Sequence, residues 1–161
     1  MDLWARESLS HSESGRFLFC VPQPQIWAEV ASRLGQAGHE VVMAEGLEQA
    51  RAVGNEAEVD LFLVDPSTCN GTSLIPLLDQ CRGLSRSSIV CCCEGKVCSA
   101  PLDCDGGLAI DCLGGLHRNP LATQRVDALL RLHRADRRWR LAARHWESVF
   151  RFASESVLIL C

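Results

Sequence analysis

The sequence predicts a doubly wound α/β domain, a parallel sheet covered by helices on both faces. Five short, almost wholly apolar runs recur along the chain, as expected of strands buried on both sides. Most are separated by segments whose apolar residues return at helical spacing, so strand and helix alternate. A long, arginine-rich helical pattern follows the last of them.

The elements follow in order. "RFLFCV" (16–21) is the first strand, apolar after its first residue. Residues 25–37, "QIWAEVASRLGQA", place Ile26, Val30, Ala31 and Leu34 on one helical face, and Gly38 stops the run. "EVVMA" (40–44) is the second strand, followed by a short helix over 47–53 ended by Gly54-Asn55. "VDLFLV" (59–64) is the third. A helix over 72–82 comes next, with Thr72 or Ser73 as its N-cap and Pro76 in its first turn. "SIVCCC" (88–93) is the fourth strand. The segment after it, "EGKVCSAPLDCDG", has no apolar period, so its helix is short, distorted or missing. "GLAIDCL" (107–113) is the fifth strand, and residues 120–147 form the longest helix, opened by Pro120.

Bulk properties exclude several classes. The chain has 161 residues, 47% of them hydrophobic and 22% charged, which fits one globular domain with some length left over. A net charge of −4 argues against a nucleic-acid binder. No apolar run approaches the ~20 residues of a membrane helix. The polar opening "MDLWARESLSHSESG" is no secretory signal, so a cytoplasmic protein is expected. Thiols there stay reduced, and Cys20, Cys91, Cys92, Cys93 and Cys112, in candidate strands, are read as small hydrophobes. A metal set of Cys93, Cys98, Cys104 and Cys112 has gaps of 5, 6 and 8 positions, unlike common zinc patterns. Neither metal nor cofactor is expected.

In such sheets function gathers at the C-terminal ends of the strands. The groups there are Pro22-Gln23, Asp65, Cys93-Glu94 and Gly114-Gly115. Pro-Gln-Pro-Gln after the first strand is no glycine-rich phosphate loop, which argues against a nucleotide-binding enzyme. Asp65, leaving a buried strand into "PSTCNG", is the candidate reactive group. Its other reading is a turn carboxylate accepting backbone N–H bonds from Ser67 or Thr68.

Residues 16–134 resemble the receiver domain of two-component response regulators. The resemblance rests on element order and spacing, on Asp65 ending the third strand, on Gly71 shortly after, and on "GGLAIDCLGG" around the fifth strand. It implies the flavodoxin-like strand order 2-1-3-4-5. It also implies an acceptor aspartate at Asp65, with Mg²⁺ held by that carboxylate and two acids after the first strand. A hydroxyl after strand four and a lysine after strand five would complete the site. Pro22 and Gln23 stand where the acids belong, Cys93 where the hydroxyl belongs, and Gly114 where the lysine belongs. Asp111 lies near the aromatic switch position, in a chain with no tyrosine. A hard cation with one carboxylate is poorly held, and phosphoryl transfer depends on neutralising charge. The resemblance therefore points to a degenerate, non-catalytic pseudo-receiver, with Mg²⁺ relevant only if Asp65 is a working acceptor.

Eight arginines fall between Arg118 and Arg144, read as a solvated face partnered by Asp127, Asp136 and Glu147. His133 and His145 are read as surface residues. Val126, Leu129 and Leu130 should pack on the sheet; Trp139, Ala142, Ala143 and Trp146 extend beyond it as a dimerising, signal-relaying helix. "HWESVFRFASESVLILC" resembles the opening of a PAS domain, with an apolar strand from Val157. The expected division is a tail (1–15), a receiver-like domain (16–134), a signalling helix (135–148) and a possible PAS opening (149–161). The expected function is protein–protein interaction or dimerisation through the 120–147 helix, without nucleic acid or membrane. By resemblance it belongs to a larger bacterial regulator, some of which act in cyclic-di-GMP signalling. Two alternatives are a receiver phosphorylated on Asp65, with Glu94 as an improvised ligand, and a redox or metal sensor. The latter requires a thiol of lowered pKa, and Lys96 beside Cys93 and Cys98 is the nearby base.

Overall fold

The computed structural model describes residues 14–95 and 109–158, leaving aside the side chains of 109–110 and 153–158. Five strands, β1 (Arg16–Cys20), β2 (Glu40–Ala44), β3 (Leu61–Val64), β4 (Ser88–Cys93) and β5 (Ala109–Gly114), form one sheet in the order β2-β1-β3-β4-β5. Every neighbouring pair is parallel. The helices are α1 (Ala28–Gln36), α2 (Leu47–Glu56), α3 (Ile75–Gln80) and α4 (Ala122–Leu158).

The near-continuous apolar runs are explained by two cores, one on each face. Side chains alternate across a strand, so Phe17, Phe19, Leu61, Leu63, Val90 and Cys92 point to one face. There they meet Trp27, Val30 and Leu34 around α1, and Val126, Leu129 and Leu130 of α4. Leu18, Cys20, Phe62, Val64, Ile89 and Cys91 point to the other, against Ala50 of α2 and Leu77 of α3.

Several elements differ from expectation. The first helix begins as a 3₁₀ turn, Pro24–Trp27, because a proline opens it. Helix α2 runs through Gly54-Asn55 to Glu56. Gly54 serves packing rather than termination, since a Cβ there would lie 2.6 Å from Cγ of Leu84. Helix α3 is shorter than 72–82. The tail reading of residues 1–15 fails at its end: Gly15 is buried, and Ser14 O accepts a bond from Arg134 Nη2 at 2.6 Å. Helix α4 continues to Leu158, so residues 157–158 are helical where an apolar strand was expected. The expected helical gap after β4 falls largely on residues 96–108, outside the described residues.

Two histidines fix how α4 lies on the sheet. His39 is buried, and its Nδ1 accepts the Gly15 amide at 3.0 Å. That places the ring proton on Nε2, which meets Asp127 Oδ1 at 2.7 Å. Asp127 therefore serves the domain core rather than a helix arginine. His133 is also buried, contrary to its reading as a surface residue, and its Nδ1 lies 2.7 Å from Ser88 Oγ.

Backbone packing sets a sharper constraint at Gly83, whose amide donates to Gly54 O at 3.0 Å and whose carbonyl accepts from Val59 at 2.9 Å. A Cβ on residue 83 would lie 2.1 Å from Ala57 O and 2.3 Å from Gly54 O. Gly83→Ala should lower the unfolding free energy by about 2–3 kcal/mol, read from urea denaturation. Gly35→Ala, with open space around the added methyl, is the control and should not destabilise.

Candidate functional site

The parallel sheet brings the C-terminal ends of β1, β3 and β4 together. Cys20 is level with Val64, and Val64 with Cys91, so Asp65 leaves β3 between the ends of its neighbours. The Asp65 amide donates to Cys20 O at 2.9 Å, which anchors the exit.

The Asp65 side chain is buried and caps a 3₁₀ turn, Pro66–Cys69. Its Oδ1 accepts from the Ser67 amide at 2.9 Å and from Ser67 Oγ at 2.7 Å. The Asp65 carbonyl accepts from the Thr68 amide at 2.9 Å and from Thr68 Oγ1 at 2.7 Å. This is the turn role anticipated for an aspartate before Ser and Thr. The turn ends at Asn70 and Gly71, both left-handed, with φ of 48° and 73°.

Of the remaining positions, those expected to carry acids after β1 bring no carboxylate. Pro22 and Gln23 follow β1 and are exposed. Cys93 ends β4, and its thiol donates to Gly95 O at 3.4 Å. Gly114, level with Cys93 in the sheet, has no side chain, and Gly115 turns the chain away with φ 63°. Glu94 is exposed in the bend after β4. Lys96, Cys98 and Cys104 lie outside the described residues. Asp111 is held by its neighbours: Oδ1 accepts the Cys112 amide at 2.8 Å, and Oδ2 is 3.8 Å from Arg125 Nη2. Among the described residues no group of three or more His, Cys, Asp or Glu side chains could hold a metal ion. Pro22 and Gln23 offer a Mg²⁺ ion no anionic oxygen, which leaves Asp65, whose Oδ1 already accepts two bonds, to carry the charge from these positions.

The thiols have the opposite electrostatics from a reactive cysteine. Burial pushes Cys20 up to about 11, assisted by Cys69 and Asp65 against the bond to Thr68. Burial likewise raises Cys91 to about 11, and Cys92 and Cys93 are shifted up by burial and by the Asp65 charge. A redox-sensing thiol needs a lowered pKa, which these strand positions do not provide. Cys112 was expected to be a free thiol. It is disulfide-bonded, on an exposed position of the edge strand β5, whereas Cys20, Cys69, Cys81, Cys91, Cys92 and Cys93 are free.

Sequence reasoning missed His133 and Ser88 as a structural pair. The signal was present, since His133 continues the face of Val126, Leu129 and Leu130 at helical spacing.

With this geometry in place, the comparisons identify the fold. No family profile matches the chain, and no curated protein matches it. Among solved structures, a response regulator protein from Burkholderia pseudomallei with a phosphorylated aspartic acid, calcium ion and citrate superposes with a TM-score of 0.55 at 17% identity. That match covers 89% of this chain and 86% of the other. The receiver domain of the hybrid histidine kinase CckA matches at 20% identity and a TM-score of 0.49, covering 74% of this chain and 98% of that one. The chain has the receiver fold of signal-transduction response regulators.

The raised thiols make stability depend on alkaline pH. A group that holds its proton more tightly when folded contributes fully below its unfolded pKa, here near 9, and loses that contribution as pH rises to about 11. Unfolding free energy should fall between pH 9 and 11 by on the order of 1 kcal/mol per pH unit per thiol. Cys91→Ala should flatten the slope in urea titrations at pH 8, 9.5 and 11.

Proposed function

We propose that this chain is a pseudo-receiver: a receiver-fold module of bacterial signal transduction that works by docking and dimerisation rather than as a phosphate switch. The observation that carries the reading is the engagement of Asp65. Oδ1 of its carboxylate is taken up by the Ser67 turn, and Pro22 and Gln23 after β1 bring no second carboxylate. A phosphoryl group arriving there would meet an anion without the cation that lowers the repulsion.

The dimerising element is the part of α4 that leaves the sheet. Leu132, Trp139 and Trp146 recur every seven residues, and Ala135, Ala142 and Val149 each follow three residues later, as the second apolar position of a heptad. Leu132 is 56% exposed, Trp139 74% and Trp146 59%, so this seam is uncovered in a single chain. Pairing two copies along it buries aromatic surface of the kind that dominates interfaces. The module then transmits its state along α4 to whatever part of a larger regulator adjoins it.

Two measurements test this. Incubation with acetyl phosphate and Mg²⁺ should leave the intact mass unchanged. A phosphoryl mass gain that disappears in Asp65→Asn would establish a working acceptor and end the pseudo-receiver reading. Light scattering should return twice the chain mass for the wild type and a single chain mass for the Trp139→Glu/Trp146→Glu double variant. Because both tryptophans are exposed in a single chain, the double variant should keep its fold, read as an unchanged far-UV circular dichroism spectrum. A monomeric wild type, or a dimer indifferent to both changes, would remove α4 as the interface.

A further inference from the structure

The face of α4 that docks on the sheet does not end with the sheet. Val126, Leu129, Leu130 and His133 lie on one side of the helix, and the same side continues with Arg137, Arg140 and Arg144. There the helix passes the loop before β4, and the two enclose an open groove of about 360 Å³. It lies at the N-terminal end of the strands, opposite the end that holds Asp65.

The groove is rich in hydrogen-bond donors and in positive charge. The loop contributes Ser85, Arg86, Ser87 and Ser88, and the helix contributes Arg137, Arg140 and Arg144. Two carboxylates oppose these four guanidinium groups. Asp136 lines the groove and pairs with Arg140 at 2.7 Å. Glu58 is shared loosely between Arg86 and Arg137, at 3.8 Å from each. The nearby Asp60 is engaged, accepting the Arg16 amide at 2.9 Å and lying 4.0 Å from Arg134.

His133 supplies an independent sign of a ligand. It lines the groove, is 2% exposed, and its Nε2 has no hydrogen-bond partner. Asp60 Oδ1 is 3.9 Å away, beyond hydrogen-bond reach. Burial lowers the His133 pKa and holds the ring neutral. Ser88 Oγ lies 2.7 Å from Nδ1, and in the tautomer in which that hydroxyl donates, the ring proton sits on Nε2 as a donor in need of an acceptor. A buried polar group left in this state is costly, and an anion oxygen would satisfy it.

We propose that this groove binds a small phosphorylated anion, with Arg137, Arg140 and Arg144 on its phosphoryl oxygens, the loop serines completing the cradle and His133 Nε2 at its floor. Phosphate fits better than a single carboxylate because it presents more acceptor oxygens to a lining in which four guanidinium groups outnumber the Asp136 carboxylate, and guanidinium forks match its geometry. The volume lies within the range of small-molecule sites, which start at roughly 300 Å³. The assignment is independent of the pseudo-receiver reading, since it uses neither Asp65 nor the exposed tryptophan seam.

The test is calorimetric titration of the full chain with inorganic phosphate, pyrophosphate and ADP, in chloride buffer. Saturable binding of pyrophosphate or ADP is expected, weakened at least about tenfold by Arg140→Gln/Arg144→Gln. Both arginines are exposed, so the variant should fold, and an unchanged thermal midpoint without ligand verifies it. Arg118→Gln/Arg151→Gln removes the same charge away from the groove and should leave affinity within about twofold. His133→Gln gives the floor contact its own reading. Absence of saturable binding by all three probes overturns the proposal, as does equal weakening by both arginine pairs, which would mark non-specific charge attraction.

Discussion

The structure depends on how one helix sits on one sheet. The first turns of α4 bury Val126, Leu129 and Leu130 against β1, β3 and β4, closing the core that α1 covers only in part. Apolar burial alone would leave the helix free to slide by a turn, since it has little direction. Direction comes from two buried imidazoles. His39 reaches α4 from the start of β2, and His133 reaches back from α4 to the start of β4. Each contact joins groups far apart in sequence, so each is satisfied in one register of helix on sheet.

That register separates the two ends of the sheet by character. At the C-terminal end a single buried carboxylate faces thiols that burial keeps protonated, and the local turn takes up its Oδ1. At the N-terminal end the same helix carries guanidinium groups past serine hydroxyls. The donor-rich surface therefore lies at the end of the sheet opposite Asp65.

Much of this was legible from residues alone. Strand positions and parallel pairing followed from apolar runs too continuous for a one-faced sheet, and Asp65 as a turn cap followed from the Ser-Thr pair after it. What escaped detection were features set by tertiary approach. Gly54 reads as a helix stop until Leu84 packs on it. Asp127 reads as a salt-bridge partner for neighbouring arginines until His39 arrives from 88 residues away. His133 reads as surface because histidine in an arginine-rich stretch carries a polar signal, although its helical phase matched the buried leucines. The groove was illegible for the same reason, as its two walls are separated by some fifty residues of chain.

Helix α4 is continuous over 37 residues, a rod of about 55 Å at 1.5 Å per residue. Its anchorage ends near His133, so some 25 residues project beyond it, a free length of about 37 Å. Mechanically this is a beam clamped at one end. A change of about 5° in how the clamped turns rest on the sheet displaces the far end by about 3 Å, more than half a helical turn's rise. Without a glycine or proline in the rod to absorb bending, such a tilt reaches the tip as motion rather than being lost along the way.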